Sequence, residues 1–348
     1  MTQRTRPDGS ERPLDTAYDT ALLDLDGVVY AGGDAIAHAV ESLAAAGGHG
    51  MRLAYVTNNA SRTPQTVAEH LTRLGVPAGA EDVITSAQAV ARLIAGQVPA
   101  GAKVLAVGGE GLIEALRERG LVPVESVADG PVAAVQGFSP QLRWAQLTEM
   151  VYAVNAGVPW FASNTDLTIP SARGIAPGNG AAVEVVRIAT GARPQVAGKP
   201  QPPMHRETVI RTGAKRPLVV GDRLDTDIEG ADAGGVDSLL VLTGVSTARQ
   251  LLAAEPKHRP TYVAADLRGL LVAHPPVGEA AGGFTCGGWT ASAAPDALAL
   301  EGDGEALDGL RALCAAAWTA AGDGTCSLDP GKALARLSLD GVTVAGGG

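Results

Sequence analysis

The sequence predicts an α/β protein built on a parallel sheet, with a second α/β unit set inside the first and a small module at the C-terminus. Three observations carry that reading. Short apolar runs alternate with helix-spaced stretches from about residue 20 to residue 270, the pattern of strand, helix, strand units. Two of those runs end in acids, Asp24 with Asp26 and Asp222 with Asp225 and Asp227, at the carboxyl ends of strands where an open parallel sheet binds its ligands. Past about Pro275 small residues dominate and all three cysteines appear, a shift of composition that marks a separate module.

A chain of 348 residues is long enough for two or three domains, each with its own core. The hydrophobic share of 46% and charged share of 18% fit a packed protein rather than extended disorder. With aromatics at 3%, the core is left to Ala, Val and Leu. A net charge of −10 gives no general attraction to nucleic acid or anionic membrane, so neither is expected as a partner. Cys286, Cys314 and Cys326 are odd in number and lack CxxC spacing, which argues against a disulfide framework or a zinc site. No apolar leader and no run near the ~18 residues of a membrane span are present. The expected location is the cytoplasm.

Taken in order, residues 1–16 are rich in Arg, Pro, Gly and Asp and are expected as a flexible tail. The core is expected over 17–84 and 196–275. It opens on the apolar run before Asp24, continues through a helix over 34–46 that stops at Gly47-Gly48, and then the strand Arg52–Thr57 ending in Asn58-Asn59. Ser61-Arg62-Thr63-Pro64 starts a helix running to Leu74, with proline suited to its first turn. The inner unit, 85–195, is expected to alternate helices over 87–95, 111–119 and 142–156 with strands over 103–107, 132–137 and 159–163. Gly108-Gly109-Glu110-Gly111 has some look of a dinucleotide loop but not GxGxxG spacing, and strand-to-helix turn chemistry is the simpler reading. Residues 163–181 form a long loop dense in Gly, Pro, Asn and Asp, a kind usually functional or disordered; its Pro177-Gly178-Asn179-Gly180 leads into a helix over 182–190. Gly198-Lys199-Pro200 precedes a helix over 204–211, and strands follow over 217–221, 238–242 and 261–264. In 276–348 a helix over 305–320 is flanked by weak strands near 297–300 and 334–339.

The opening motif, ALLDLDGVVYAGG over 21–33, places two carboxylates at a strand tip. Like charges so close favour a cation or a shared proton, although a solvated Asx turn has the same spelling. An EF-hand is excluded, since its fifth and twelfth positions fall on Val28 and Ala35. The other strand ends add to the pair. Thr57 with Asn58 offers a hydroxyl and backbone amides for phosphate oxygens, Lys199 a compact cation, and Asp222 a third carboxylate for Mg²⁺. Such a set suits phosphoryl transfer.

The ordered motifs DLDGVVY, VTNN, GKP and GDRLDTDI resemble the haloacid dehalogenase (HAD) superfamily, in particular its NagD-like, 4-nitrophenylphosphatase branch, over residues 20 to 270. The resemblance implies a Rossmann-like parallel-sheet core with a large inserted α/β cap over 85–195. It makes Asp24 the nucleophile that forms an aspartyl-phosphate and Asp26 the general acid and base. It assigns Thr57 and Lys199 to the phosphoryl oxygens, with Asn58 and Asn59 beside them in substrate binding. Mg²⁺ would be held by Asp24, the backbone carbonyl of Asp26, and Asp222, with Asp227 behind them. Attack by a carboxylate and then by water splits one hard step into two, and an anionic Asp24 beside Asp26 favours the protonated acid that a leaving alkoxide needs.

The 163–166 stretch SNTD resembles the family's substrate-facing cap loop, which makes Asn164 and Asp166 candidates for contacting the organic part of the substrate; an Asx-turn loop is the competing reading. Some members of this branch carry a tail resembling a truncated acetyltransferase. Here residues 276–348 lack a Gly-rich pyrophosphate loop, so an inactive packing or dimerisation module, and with it a homodimer, is expected. The expected function is a Mg²⁺-dependent phosphatase for a small phosphorylated metabolite, glycerol 3-phosphate or 2-phosphoglycolate. Pyridoxal phosphate, nucleotide and sugar phosphates are alternatives; a phosphomutase and a non-catalytic scaffold rank below them.

Overall fold

A computed structural model describes residues 4–171 and 173–339. Residues 1–3 of the expected tail, Ala172 of the expected loop, and residues 340–348 of the C-terminal module lie outside the described residues. The chain divides into two compact units, Met1–Leu53 with Ala214–Gly348, and Ala54–Gly213. The second takes in, beside the expected cap, the flanking stretches 54–84 and 196–213.

In the first unit the strands Tyr262–Ala264, Asp237–Val241, Pro217–Gly221 and Thr20–Leu23 pair in parallel in that order. Their side chains are nearly all buried, the continuous apolar run that a sheet covered on both faces requires. The predicted α/β parallel architecture is therefore present. Two local expectations are corrected. Gly32 and Gly33 adopt φ of +61° and +105° and close a hairpin between Tyr30–Ala31 and Asp34–Ala35, so the helix expected from residue 34 starts only at Ala39–Gly48. Residues 4–16 are not a loose tail. The amides of Asp8 and Ser10 bond Thr261 O and His274 O, both at 2.8 Å, and Leu14 and Asp15 are buried in a short helix, Leu14–Ala17. After Pro217–Gly221 the acidic stretch forms a π-helical turn, Leu224–Ile228, running into the helix Glu229–Gly234.

The C-terminal module is an antiparallel sheet in the order Gly278–Ala280, Gly283–Cys286, Trp289–Ala293, Leu298–Gly302, with the helices Ala306–Ala321 and Gly331–Leu337. The strand expected near 334–339 is corrected to that second helix: Ala333, Leu334 and Leu337 fall on one helical face and are buried together.

In the second unit Tyr55, Val56 and Thr57, the end of the strand Arg52–Thr57, pair in parallel with Val83–Thr85. A separate parallel sheet runs in the order Gln195–Val196, Trp160–Ala162, Ala133–Gln136, Lys103–Val107, Val122–Val124. The helices Trp144–Asn155 and Asn179–Thr190 bury Leu147, Met150, Val183 and Val186 against it. The expected long loop is corrected to a loop carrying an antiparallel hairpin, Thr168–Ser171 with Gly174–Pro177. Gly109 caps the helix Glu110–Glu118. A Cβ on Gly111 would lie 2.2 Å from Arg62 O, so its lack of a side chain answers to a close backbone crossing.

Glu207, on the helix Pro202–Thr212, is fully buried and holds Arg92, Arg119 and Arg211, the last two at 2.9 and 2.5 Å. Burial alone would push its carboxyl up, but the Arg92 and Arg211 hydrogen bonds and charges hold it below the ordinary value near 4.5. Glu207→Gln is expected to lower the unfolding free energy by about 2 kcal/mol at pH 7. The ~3–5 kcal/mol typical of breaking a buried pair is reduced because the arginines are partly in water. A lowered folded-state value stabilises above the unfolded value and is lost as pH falls through the folded one. Urea titrations should show the gap between wild type and variant closing below about pH 4.5; a gap that widens there refutes the assignment.

Candidate active site

The acids gather in the first unit. Because Leu23 pairs with Val220 and the Asp24 amide bonds Val220 O at 2.9 Å, Asp24 and Asp222 leave adjacent strand ends together. One carboxylate oxygen from each of Asp24, Asp222 and Asp227 lies within 4.8 Å of the others. Asp222 and Asp227 are buried and Asp24 is half-buried. Asp222 Oδ2 accepts the Val245 amide at 2.6 Å, and Asp227 Oδ2 accepts the Arg223 amide at 3.2 Å. The backbone makes room for this. Gly27 sits at φ +83° with its missing Cβ 2.5 Å from Asp222 Oδ2, and a Cβ on Gly244 would come within 1.9 Å of the same oxygen. Any side chain at either position would displace the carboxylate.

Three carboxyl groups this close, two of them buried, call for a cation, and three hard carboxylate oxygens match Mg²⁺. The donor set fits the expected ion. Asp227, expected behind the ligands, stands on the π-helical turn with a carboxylate oxygen within 4.8 Å of those of Asp24 and Asp222. Asp26, two residues further on, is exposed. Thr243 to Ser246 went unnoticed in the sequence, yet Thr243 Oγ1 bonds Gly27 O at 2.6 Å and Ser246 Oγ accepts the Leu224 amide at 3.1 Å. Its one signal was its place after a buried strand.

The remaining candidates gather in the second unit. Thr57 ends its strand buried, and its hydroxyl accepts the Asn59 amide at 3.1 Å. Asn59 Oδ1 accepts the amide and hydroxyl of Ser61 at 2.8 and 2.9 Å, so its side chain shapes the turn into the next helix. Lys199 Nζ donates to Val56 O at 3.1 Å. Asn164, expected to face the substrate, is buried: its amide nitrogen bonds Asn58 O at 2.7 Å and its amide oxygen accepts the Asp166 amide at 3.1 Å. Asp166, half-buried, accepts Asn58 Nδ2 at 3.2 Å to each oxygen. The Asx turn and a structural contact are thus both made, and the carboxamide of Asn164 is spent on the chain itself.

Family-level comparison matches residues 21–122 to the haloacid dehalogenase-like hydrolases, 196–270 to a HAD-hydrolase-like family, and 286–339 to a GCN5-related N-acetyltransferase-like domain. A D-glycerol 3-phosphate phosphatase of Mycobacterium tuberculosis is 46% identical over 312 residues, covering 87% of this chain and 86% of the relative. A crystal structure of glycerol phosphate phosphatase from Mycobacterium tuberculosis in complex with magnesium superposes with a TM-score of 0.85 at 42% identity, over 94% of this chain and 99% of that one. A p-nitrophenyl phosphatase from Archaeoglobus fulgidus superposes at 0.67 and 32% identity, over 73% and 98%. Among the described residues no helix is long and apolar enough to cross a membrane.

Proposed function

The chain belongs to the haloacid dehalogenase-like hydrolases, and from that premise we propose that it is a Mg²⁺-dependent phosphatase whose substrate is glycerol 3-phosphate. The observation that carries the reaction is the cluster of Asp24, Asp222 and Asp227 at adjacent strand ends. The substrate is suggested by the name of the 46% identical relative. Asp24 attacks phosphorus through a carboxylate oxygen; the phosphorus–alkoxide bond breaks, and the alkoxide takes its proton from Asp26. Water, deprotonated by Asp26, then attacks the aspartyl-phosphate, releasing phosphate and restoring both acids. Mg²⁺, when bound by the three carboxylates, supplies charge that offsets repulsion between the nucleophile and a phosphate dianion. We assign Thr57 and Lys199 to the phosphoryl oxygens on the strength of their motifs.

In the same reading the partner is a small metabolite, the location is the cytoplasm, where free Cys286, Cys314 and Cys326 stay reduced, and the assembly is a homodimer, which mass in solution reads. Phosphate release from glycerol 3-phosphate, 2-phosphoglycolate, pyridoxal phosphate and a sugar phosphate tests the proposal. With Mg²⁺ glycerol 3-phosphate should turn over fastest, and EDTA should lower the rate by at least ~100-fold, reversibly. Turnover indifferent to EDTA refutes the mechanism; a tenfold preference for another ester refutes the substrate.

A further inference from the structure

Lys199 is tied at both ends to one short segment, residues 56–58. Its ammonium donates to Val56 O at 3.1 Å. Its main chain is bonded on both sides by one carboxamide: Asn58 Oδ1 accepts the Lys199 amide at 2.8 Å, and Asn58 Nδ2 donates to Lys199 O at 3.1 Å. Among side chains of this length, only a carboxamide presents an acceptor and a donor side by side, as a peptide group does. The second Nδ2 hydrogen points at the two oxygens of Asp166, each 3.2 Å away. This arrangement fixes which way the carboxamide faces, because a flipped amide would turn its oxygen toward both Lys199 O and an anion. Asn58 O is pinned in turn by Ser86 Oγ at 2.6 Å and Asn164 Nδ2 at 2.7 Å. The packing leaves no slack: a Cβ on Gly198 would stand 2.5 Å from Ser163 O and 2.6 Å from Asn58 Oδ1, so a glycine before Lys199 lets the chain pass both.

We infer that Asn58 is a positioning residue, oriented by Asp166, that holds Lys199 at a fixed place relative to Thr57. Its effect on rate rests on the phosphatase reading, in which Thr57 and Lys199 hold the phosphoryl oxygens. Asn58 follows Thr57 directly, so the carboxamide couples the two phosphate-holding groups while its own side chain is taken up by the protein. Asn164 and Asp166 then act on the reaction through Asn58, and the cap loop contributes geometry rather than recognition of the alcohol. A displacement of about 1 Å in such a group is enough for a ~100-fold loss of rate.

The test compares Asn58→Ala, Asn58→Asp, Asp166→Asn and the double variant Asn58→Asp/Asp166→Asn. Turnover is measured on glycerol 3-phosphate, 2-phosphoglycolate and p-nitrophenyl phosphate. Asn58→Ala should lower kcat by about 10- to 100-fold, by the same factor for all three esters. Asn58→Asp sets a second anion against Asp166; the double variant, which returns a donor at 166, should recover at least about fivefold over it. A loss that differs more than about tenfold between esters, or no loss at all, overturns the inference and makes these residues readers of the leaving group or bystanders. If Asn58→Ala does not fold, the half-buried Asp166→Asn carries the same comparison. Exchange of the Lys199 amide hydrogen separates this inference from its parent. It should be slow in wild type and at least about tenfold faster in Asn58→Ala, or in Asp166→Asn if only that variant folds. If wild type hydrolyses none of the esters, the phosphatase reading fails while the exchange still decides whether Asn58 holds Lys199.

Discussion

Asp24→Asn is expected to abolish phosphate release, with kcat reduced on the order of 10⁴-fold or more, as when other enzymes lose their nucleophile. The substitution is nearly isosteric. The bond that places the residue, from the Asp24 amide to Val220 O, is a main-chain bond and survives. What is lost is the anionic oxygen, and a carboxamide oxygen is too weak a nucleophile to replace it. Stability gives a second readout with the opposite sign. Without metal, removing one of three carboxylates whose oxygens lie within 4.8 Å of one another relieves repulsion, so the variant's melting temperature should equal or exceed that of wild type. Saturating Mg²⁺ should raise the wild-type melting temperature by several degrees and the variant's by less, since a ligand stabilises only the state that binds it. Turnover by the variant within about tenfold of wild type would remove Asp24 from the reaction.

Legibility in the sequence followed locality. Arg52–Thr57, Lys103–Val107 and Pro217–Gly221 were readable residue for residue because each is a short apolar run bounded by a charge, a proline or a glycine. The hairpin closed by Gly32 and Gly33 was hidden because paired glycines also end helices, and a helix-spaced stretch followed at once. The hairpin Thr168–Ser171 with Gly174–Pro177 lay within a composition that reads as loop. The C-terminal helix Gly331–Leu337 was misread because its seven residues are too few to separate a 3.6 period from a 2 period.

The site divides the same way. Asp24 and Asp222 were legible because each follows its own strand. The closeness of Asp227 depends on a π-helical turn, for which no residue pattern in the sequence serves as a signal. The bond between Asn58 and Lys199 joins residues 141 apart; each lies in a recognisable motif, yet nothing local to either announces the other.

Deleting residues 276–348 is expected to cost the first unit its fold, not merely an appendage. The helix Ala306–Ala321 is buried along its whole middle, from Gly309 to Trp318, which a helix lying on a surface is not. Leu310, Leu313 and Trp318 share one apolar cluster with Leu240 and Val263 of the parallel strands and with Leu242, Leu251 and Leu252. At about 1.5–3 kcal/mol for each large buried side chain, the three module side chains alone contribute roughly 5–9 kcal/mol, comparable with the ~5–15 kcal/mol that holds a domain folded. Polar groups bind the same seam. Trp318 Nε1 donates to Leu251 O at 3.0 Å, Arg311 to Val263 O at 2.7 Å, and the buried Arg259 to Gly322 O at 2.8 Å. Truncation would leave Arg259 short of an acceptor and expose a contiguous apolar face, which promotes aggregation. The truncated chain should therefore appear in inclusion bodies or lack a cooperative thermal transition, whereas an independent tail predicts a soluble product with the wild-type transition. Trp318→Ala asks the same question of the intact chain. A loss of about 3–5 kcal/mol is expected from the cavity it opens, and a change below about 1 kcal/mol would show that the seam does not support the core.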